Sequence, residues 1–91
     1  MADIVRTDDV LGGEPRIEDT RIGVLDVYEL VAAGYSPADV ADQFDTTLAE
    51  VYAALAYYHE RPEEMRRLRR DRDETERNLA EEALGPPQPT Q

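Results

Sequence analysis

Ser36-Pro37-Ala38-Asp39-Val40-Ala41-Asp42-Gln43-Phe44-Asp45-Thr46-Thr47-Leu48-Ala49-Glu50 contains two helix starts eleven residues apart. Ser36 is a capping residue, Pro37 suits the first helical position, and Asp39 favours the positive end of a helix. Thr47 with Glu50 three residues later has the spacing of a capping box. The first helix is expected to run to about Phe44, with Val40, Ala41 and Phe44 inward. The second is expected from Leu48 to about Glu60, with Leu48, Val51, Tyr52, Leu55 and Tyr58 or His59 at inward spacing. Asp45-Thr46-Thr47 is a short connection. Two capped helices this close, behind a third, are the pattern of a helix-turn-helix unit.

The third helix precedes them. Val24 to Ala33 carries Val27, Leu30 and Val31 on one stripe and Leu25, Tyr28 and Ala32 on another. Only Asp26 and Glu29 are left for solvent, which predicts burial on most sides. Gly34 is a natural terminator. Upstream, Asp3-Ile4-Val5-Arg6 has strand character, and Val10 to Pro15 reads as a turn. Arg16-Ile17 and Arg21-Ile22 flank Glu18-Asp19-Thr20 in the manner of a tight hairpin with Asp19 at or near the left-handed position.

Arg61-Pro62 breaks or kinks the chain after the third core helix. Glu63 to Leu84 reads as a long charged helix with sparse apolar positions: Met65, Leu68, Leu79, Ala80, Ala83 and Leu84. No large hydrophobe lies between Arg69 and Asn78, so no continuous core stripe holds it. Gly85 is the expected stop, and Pro86 to Gln91 a disordered tail. The expected class is mainly α: a short N-terminal β hairpin, a trihelical helix-turn-helix-like core of the winged-helix or homeodomain-like kind, and a long C-terminal charged helix. The expected divisions are 1–60, 61–85 and 86–91.

Ninety-one residues make one small domain. The net charge is −11, all ten basic residues are arginine, and cysteine is absent. Thiol nucleophiles, thiolate metal sites and disulfides are thereby excluded. Apolar runs are too short for a membrane span or a signal peptide, so the expected location is cytoplasmic. Residues 1–60 hold three arginines and thirteen acids, net −10; residues 61–91 hold seven and eight, net −1. An acidic, lysine-free surface suits work in molar salt, where the Debye length is ~3 Å and self-repulsion is screened. The competing reading is an acid surface that repels or mimics nucleic acid.

Nothing here points to an enzyme. Gly12-Gly13-Glu14-Pro15 has neither a dinucleotide nor a P-loop spacing. Adjacent acids such as Asp8-Asp9 point apart, so they form neither an acid–base pair nor a metal site. His59 has no nucleophile pattern beside it and suits a helix C-terminus. No cofactor or metal is expected. Of Tyr57 and Tyr58, one is expected in the core and the other at an interface. On a helix-turn-helix reading the DNA-facing candidates are Thr46, Thr47 and Glu50, a weak set with no arginine, asparagine or glutamine. The run Arg66-Arg67-Leu68-Arg69-Arg70-Asp71-Arg72 suits phosphate or an acidic protein surface, where arginine forks bond carboxylates. Because its segment is near neutral, the protein partner is the favoured reading. Met65, Arg66, Leu68, Arg69, Arg70 and Arg72 are the expected contact residues.

Gly13-Glu14-Pro15-Arg16-Ile17-Glu18-Asp19-Thr20-Arg21-Ile22, then Val27, Leu30, Gly34, Tyr35, Ser36-Pro37, Val40 and Phe44, then Leu48 to Tyr58, resemble domain-of-unknown-function family 433 over about residues 3–65. Asp19 stands where the family usually has glycine. The resemblance implies a helix-turn-helix-like fold with an N-terminal hairpin, similar to VapB-type antitoxins. It implies a PIN-like ribonuclease toxin as partner, a homodimer, and binding of operator DNA. It marks Pro15, Arg16, Ile17, Thr20 and Arg21 as fold- or dimer-forming positions. A halophilic archaeal source fits the charge. The alternatives are a stand-alone transcriptional regulator and a structural interaction module.

Overall fold

The computed structural model describes residues 3–84. The chain runs β1 (Ile4–Val5), a 3-10 turn (Leu11–Gly13), β2 (Arg16–Ile17), α1 (Val24–Ala32), α2 (Pro37–Phe44), α3 (Leu48–Glu60) and α4 (Pro62–Leu84). It is mainly helical with a short N-terminal two-stranded antiparallel sheet. The expected stop at Gly85 and the tail after it lie outside the described residues.

The caps set the helix boundaries. Ser36 Oγ accepts from the Asp39 N–H at 3.1 Å, and the Asp39 carboxylate accepts from the Ser36 N–H. Thr47 and Glu50 make the same reciprocal pair at the start of α3. Each pair satisfies donors that the first helical turn leaves open. α1 ends at Gly34, whose φ is +110°. There the Tyr35 and Gly34 N–H groups donate to the carbonyls of Leu30 and Val31. This closure needs a left-handed residue, and glycine takes that conformation without Cβ strain.

The expected hairpin is present only as an isolated antiparallel bridge, Arg16 opposite Gly23, and β2 takes a further partner. β2 pairs with β1, Ile4 opposite Ile17 and Val5 opposite Arg16. Arg21-Ile22 forms no strand. The 18–21 turn still closes as expected: Asp19 has φ +65°, and the Ile17 N–H donates to the Ile22 carbonyl at 2.9 Å. Thr20 holds the turn, its hydroxyl donating to the Ile17 carbonyl and accepting from the Ile22 N–H. Pairing across a dozen residues is a tertiary choice that local alternation does not encode.

Ile17, Val24, Leu25, Val27, Val40, Ala41, Val51, Ala54 and Met65 form the core. Met65 brings α4 into it, so the core crosses the division expected after residue 60. α1 is less enclosed than predicted: Leu30 and Val31 are half-buried and Ala32 is exposed. In α3 the inward face is rotated from the expected one. Val51 and Ala54 are buried, whereas Leu48 and Tyr52 are 44% and 54% exposed. α4 continues beyond the core, and the molecule measures 57 × 25 × 23 Å.

Candidate functional site

The arginines of α4 divide by face. A helix turns ~100° per residue, so Met65, Leu68, Arg69 and Arg72 share one side and Arg66, Arg67 and Arg70 the other. Met65 is fully buried and Leu68 packs half-buried against the core. These two apolar residues fix which side of α4 meets the domain.

Arg72 follows them inward. Its Nη2 donates to Glu14 Oε1 at 2.5 Å and its Nη1 to Asp26 Oδ1 at 2.9 Å, with Glu29 Oε1 at 3.7 Å. Asp26 is shared: its other oxygen accepts the Gly23 N–H at 3.2 Å and caps α1. A Cβ at Gly23 would lie 2.9 Å from that carboxylate oxygen, so a larger residue there would have to displace the Asp26 side chain. One guanidinium thus joins the turn before β2, the start of α1 and the middle of α4. Burial works to lower the Arg72 pKa. The hydrogen bond to Glu14 and the charge of Asp26 outweigh it and shift the group upward. A second ion pair, Arg6 with Glu64, ties β1's exit to the first turn of α4. Arg6 also donates to the Gly13 carbonyl at 2.9 Å.

Arg69 lies at the edge of the docked side. Its Nη1 donates to the Tyr58 hydroxyl at 3.2 Å, and the guanidinium sits 5.7 Å from the Tyr28 ring centroid. Tyr28 and Tyr58 stack at 3.7 Å, and His59 meets both rings edge-on. Tyr57 is half-buried beneath Arg61, 3.9 Å from its centroid. Both adjacent tyrosines are therefore engaged within the chain.

Arg66, Arg67 and Arg70 are exposed. Among the described residues they form no salt bridge. Of the six expected contact residues, Met65 is a core residue and Arg72 a structural one, and neither presents its side chain outward. Leu68 and Arg69 are partly committed to the domain. Arg66 and Arg70 remain, joined by Arg67. Residues 73–83 are exposed throughout, Leu79 among them.

The DNA-facing candidates are also in use. Glu50 Oε1 accepts the Thr47 N–H at 2.9 Å, the Thr47 hydroxyl at 3.0 Å and the Thr46 hydroxyl. The Thr46 hydrogen bond, followed by the Thr47 backbone and side chain, holds the Glu50 carboxyl below its ordinary range. The hairpin residues face inward or brace the turn. Pro15 and Ile17 are buried. Arg16 reaches the Thr20 carbonyl at 3.0 Å and Thr7 Oγ1 at 2.9 Å, and Arg21 is exposed.

The spacing of the charges did not reveal Glu14, Asp26 and Glu29 as partners of Arg72. The available signal was the pair Asp26 and Glu29, three residues apart on an otherwise apolar helix. Among the described residues no helix is long and apolar enough to cross a membrane. No curated protein and no solved structure matches the chain. The model of a family described as "Protein of unknown function (DUF433)" matches residues 4–58, from β1 to the last turn of α3 and short of α4. That is more than half of the chain, which therefore belongs to the DUF433 family.

Proposed function

We propose that the chain is a non-catalytic, antitoxin-type binding protein that neutralises a PIN-like ribonuclease by laying the outer face of α4 on its acidic surface. The observation that carries this reading is the free triad Arg66, Arg67 and Arg70 on a helix already fixed to its own domain. Arginine forks bond carboxylates bidentately, and a helix held in advance loses less freedom on binding. In a protein of net charge −11, three exposed cations within five residues are a directed feature. A PIN-type site gathers carboxylates around a metal, so an inserted arginine would neutralise them and exclude the ion.

In this reading α1–α3 form a helix-turn-helix-like scaffold, supported by the three-residue connection Asp45–Thr47 and the left-handed Asp45, φ +54°. The scaffold serves to carry α4. The acidic, lysine-free surface is a solvent adaptation to molar salt in a cytoplasmic protein. Co-expression with the protein encoded beside it, scored by growth and by co-purification, tests the proposal. Arg66→Glu with Arg70→Glu should abolish rescue and reduce affinity at least ~30-fold, as expected when charge-paired interface residues lose about 2 kcal/mol. Unchanged rescue would reject it.

A further inference from the structure

Two tyrosines thirty residues apart in sequence are stacked face to face. Tyr28 of α1 and Tyr58 of α3 have ring centroids 3.7 Å apart and planes 6° from parallel. Aromatic pairs ordinarily sit about 4.5–7 Å apart, offset or edge-on. The surroundings hold this closer arrangement. Arg69 Nη1 donates to the Tyr58 hydroxyl at 3.2 Å, its guanidinium stands 5.7 Å from the Tyr28 centroid, and His59 meets both rings edge-on. The Tyr28 phenol is raised above its ordinary pKa, first by hydrogen bonding with Tyr58, so the two hydroxyls lie at the same end of the stack. The ring carbons ortho to oxygen, Cε of one ring over Cε of the other, are thereby brought into register. Both residues are half-buried and so reach solvent.

The usual first targets of oxidation, thiols and thioethers, are scarce in this chain. It has no cysteine and no tryptophan, and of its two methionines Met65 is fully buried in the core. We propose that Tyr28 and Tyr58 form an oxidative cross-linking site, at which a diffusible one-electron oxidant joins the two rings into an intrachain dityrosine. Each ring gives one electron to the oxidant and its phenolic proton to solvent. The two radicals carry much of their spin on the ortho carbons and join through a Cε–Cε bond. Each joined carbon then loses its hydrogen as a proton while the neighbouring oxygen takes one up, which restores both phenols. Two electrons and two protons leave per cross-link, and two molecules of oxidant are reduced. Stacking supplies the encounter that separate rings must find by diffusion. The new bond welds α1 to α3 and closes a loop around α2, which restricts the unfolded chain as a disulfide does. The outward arginines Arg66 and Arg70 take no part, so the site stands independently of the partner reading.

The test is photo-oxidation of the full-length protein, kept dilute, with a ruthenium tris-bipyridyl complex and persulfate, which accepts the electrons and leaves as sulfate. The wild type should gain dityrosine fluorescence, run as a single chain on a denaturing gel and lose the mass of two hydrogens. Digestion should give a cross-linked peptide that joins Tyr28 to Tyr58. The thermal midpoint should rise above that of the untreated protein. Tyr28→Phe and Tyr58→Phe should each cut the intrachain yield at least ~10-fold while circular dichroism keeps its helical signal. Tyr52→Phe and Tyr57→Phe should leave the yield unchanged. Unfolding in urea before oxidation should lower it to the level of the two single variants, because the stack sets the encounter. A wild type that forms no intrachain dityrosine overturns the proposal. So does a cross-link through Tyr35, Tyr52 or Tyr57 in place of the Tyr28–Tyr58 pair, and so does a yield that survives unfolding.

Discussion

The two halves of α4 differ in charge and in fate: residues 62–72 carry five arginines and three acids, residues 73–84 one arginine and five acids. Residues 62–72 are charged at most positions, yet one side of this stretch lies against the domain; residues 73–83 are exposed throughout. The difference comes from three side chains. Met65 is fully buried, Leu68 covers the core edge, and Arg72 closes on Glu14 and Asp26. The second half has Leu79, Ala80 and Ala83, but the domain ends before they can be covered. What an arginine does in this helix is decided by which side of the Met65–Leu68 line it occupies.

Substitutions in matched pairs separate the two halves. Met65→Ala should cost ~2–5 kcal/mol, the range for emptying a buried site, whereas Leu79→Ala should stay within about 0.5 kcal/mol. Urea denaturation of the two variants checks it, and similar losses would erase the distinction between the halves. Next in size is Arg72→Met. It leaves Glu14, whose side chain is 19% exposed, without its cation. The expected cost is ~1–3 kcal/mol, against almost none for Arg77→Met. The Arg72 penalty should persist in molar salt, because part-buried pairs are screened less than surface ones.

Thr47→Ala, away from α4, gauges an ordinary cap and should cost ~1 kcal/mol. Glu50 gives the smallest effect, one of pH dependence. Its folded pKa lies below its unfolded value. Its contribution is therefore complete above the unfolded value and is lost as the pH falls through the folded one. The stability gap between wild type and Glu50→Gln should accordingly close on acidification from neutral pH to pH 3. A gap that widens would reverse the assignment.

Local chemistry was legible in the sequence. Ser36, Thr47, Glu50 and Gly34 act within four residues of their own positions, and each helix boundary they imply is present within about a residue. The turn at Asp19 was legible for the same reason. The second partner of β2 was not, because β1 lies a dozen residues upstream and local alternation carries no signal for it, whereas the near partner survives as the bridge from Arg16 to Gly23. The inward face of α3 was not legible either. A helix with apolar residues on both sides gives periodicity nothing to choose between, so Leu48 and Tyr52 read as core. In the candidate site the arginine run was visible, but its division was not. Arg72 and Arg70 are chemically alike in sequence, and the acids on α1 that separate them are more than forty residues away.

The central claim is that the outward arginines of α4 hold a partner while the inward one holds the fold. Its most direct test is the affinity for the co-expressed neighbouring protein, measured by calorimetry for the double variant Arg66→Glu/Arg70→Glu and for Arg72→Met. The expected result is a loss of at least ~30-fold in the double variant with unchanged stability, and near wild-type affinity with reduced stability in Arg72→Met. Full affinity in the double variant together with lost binding in a still-folded Arg72→Met would contradict it.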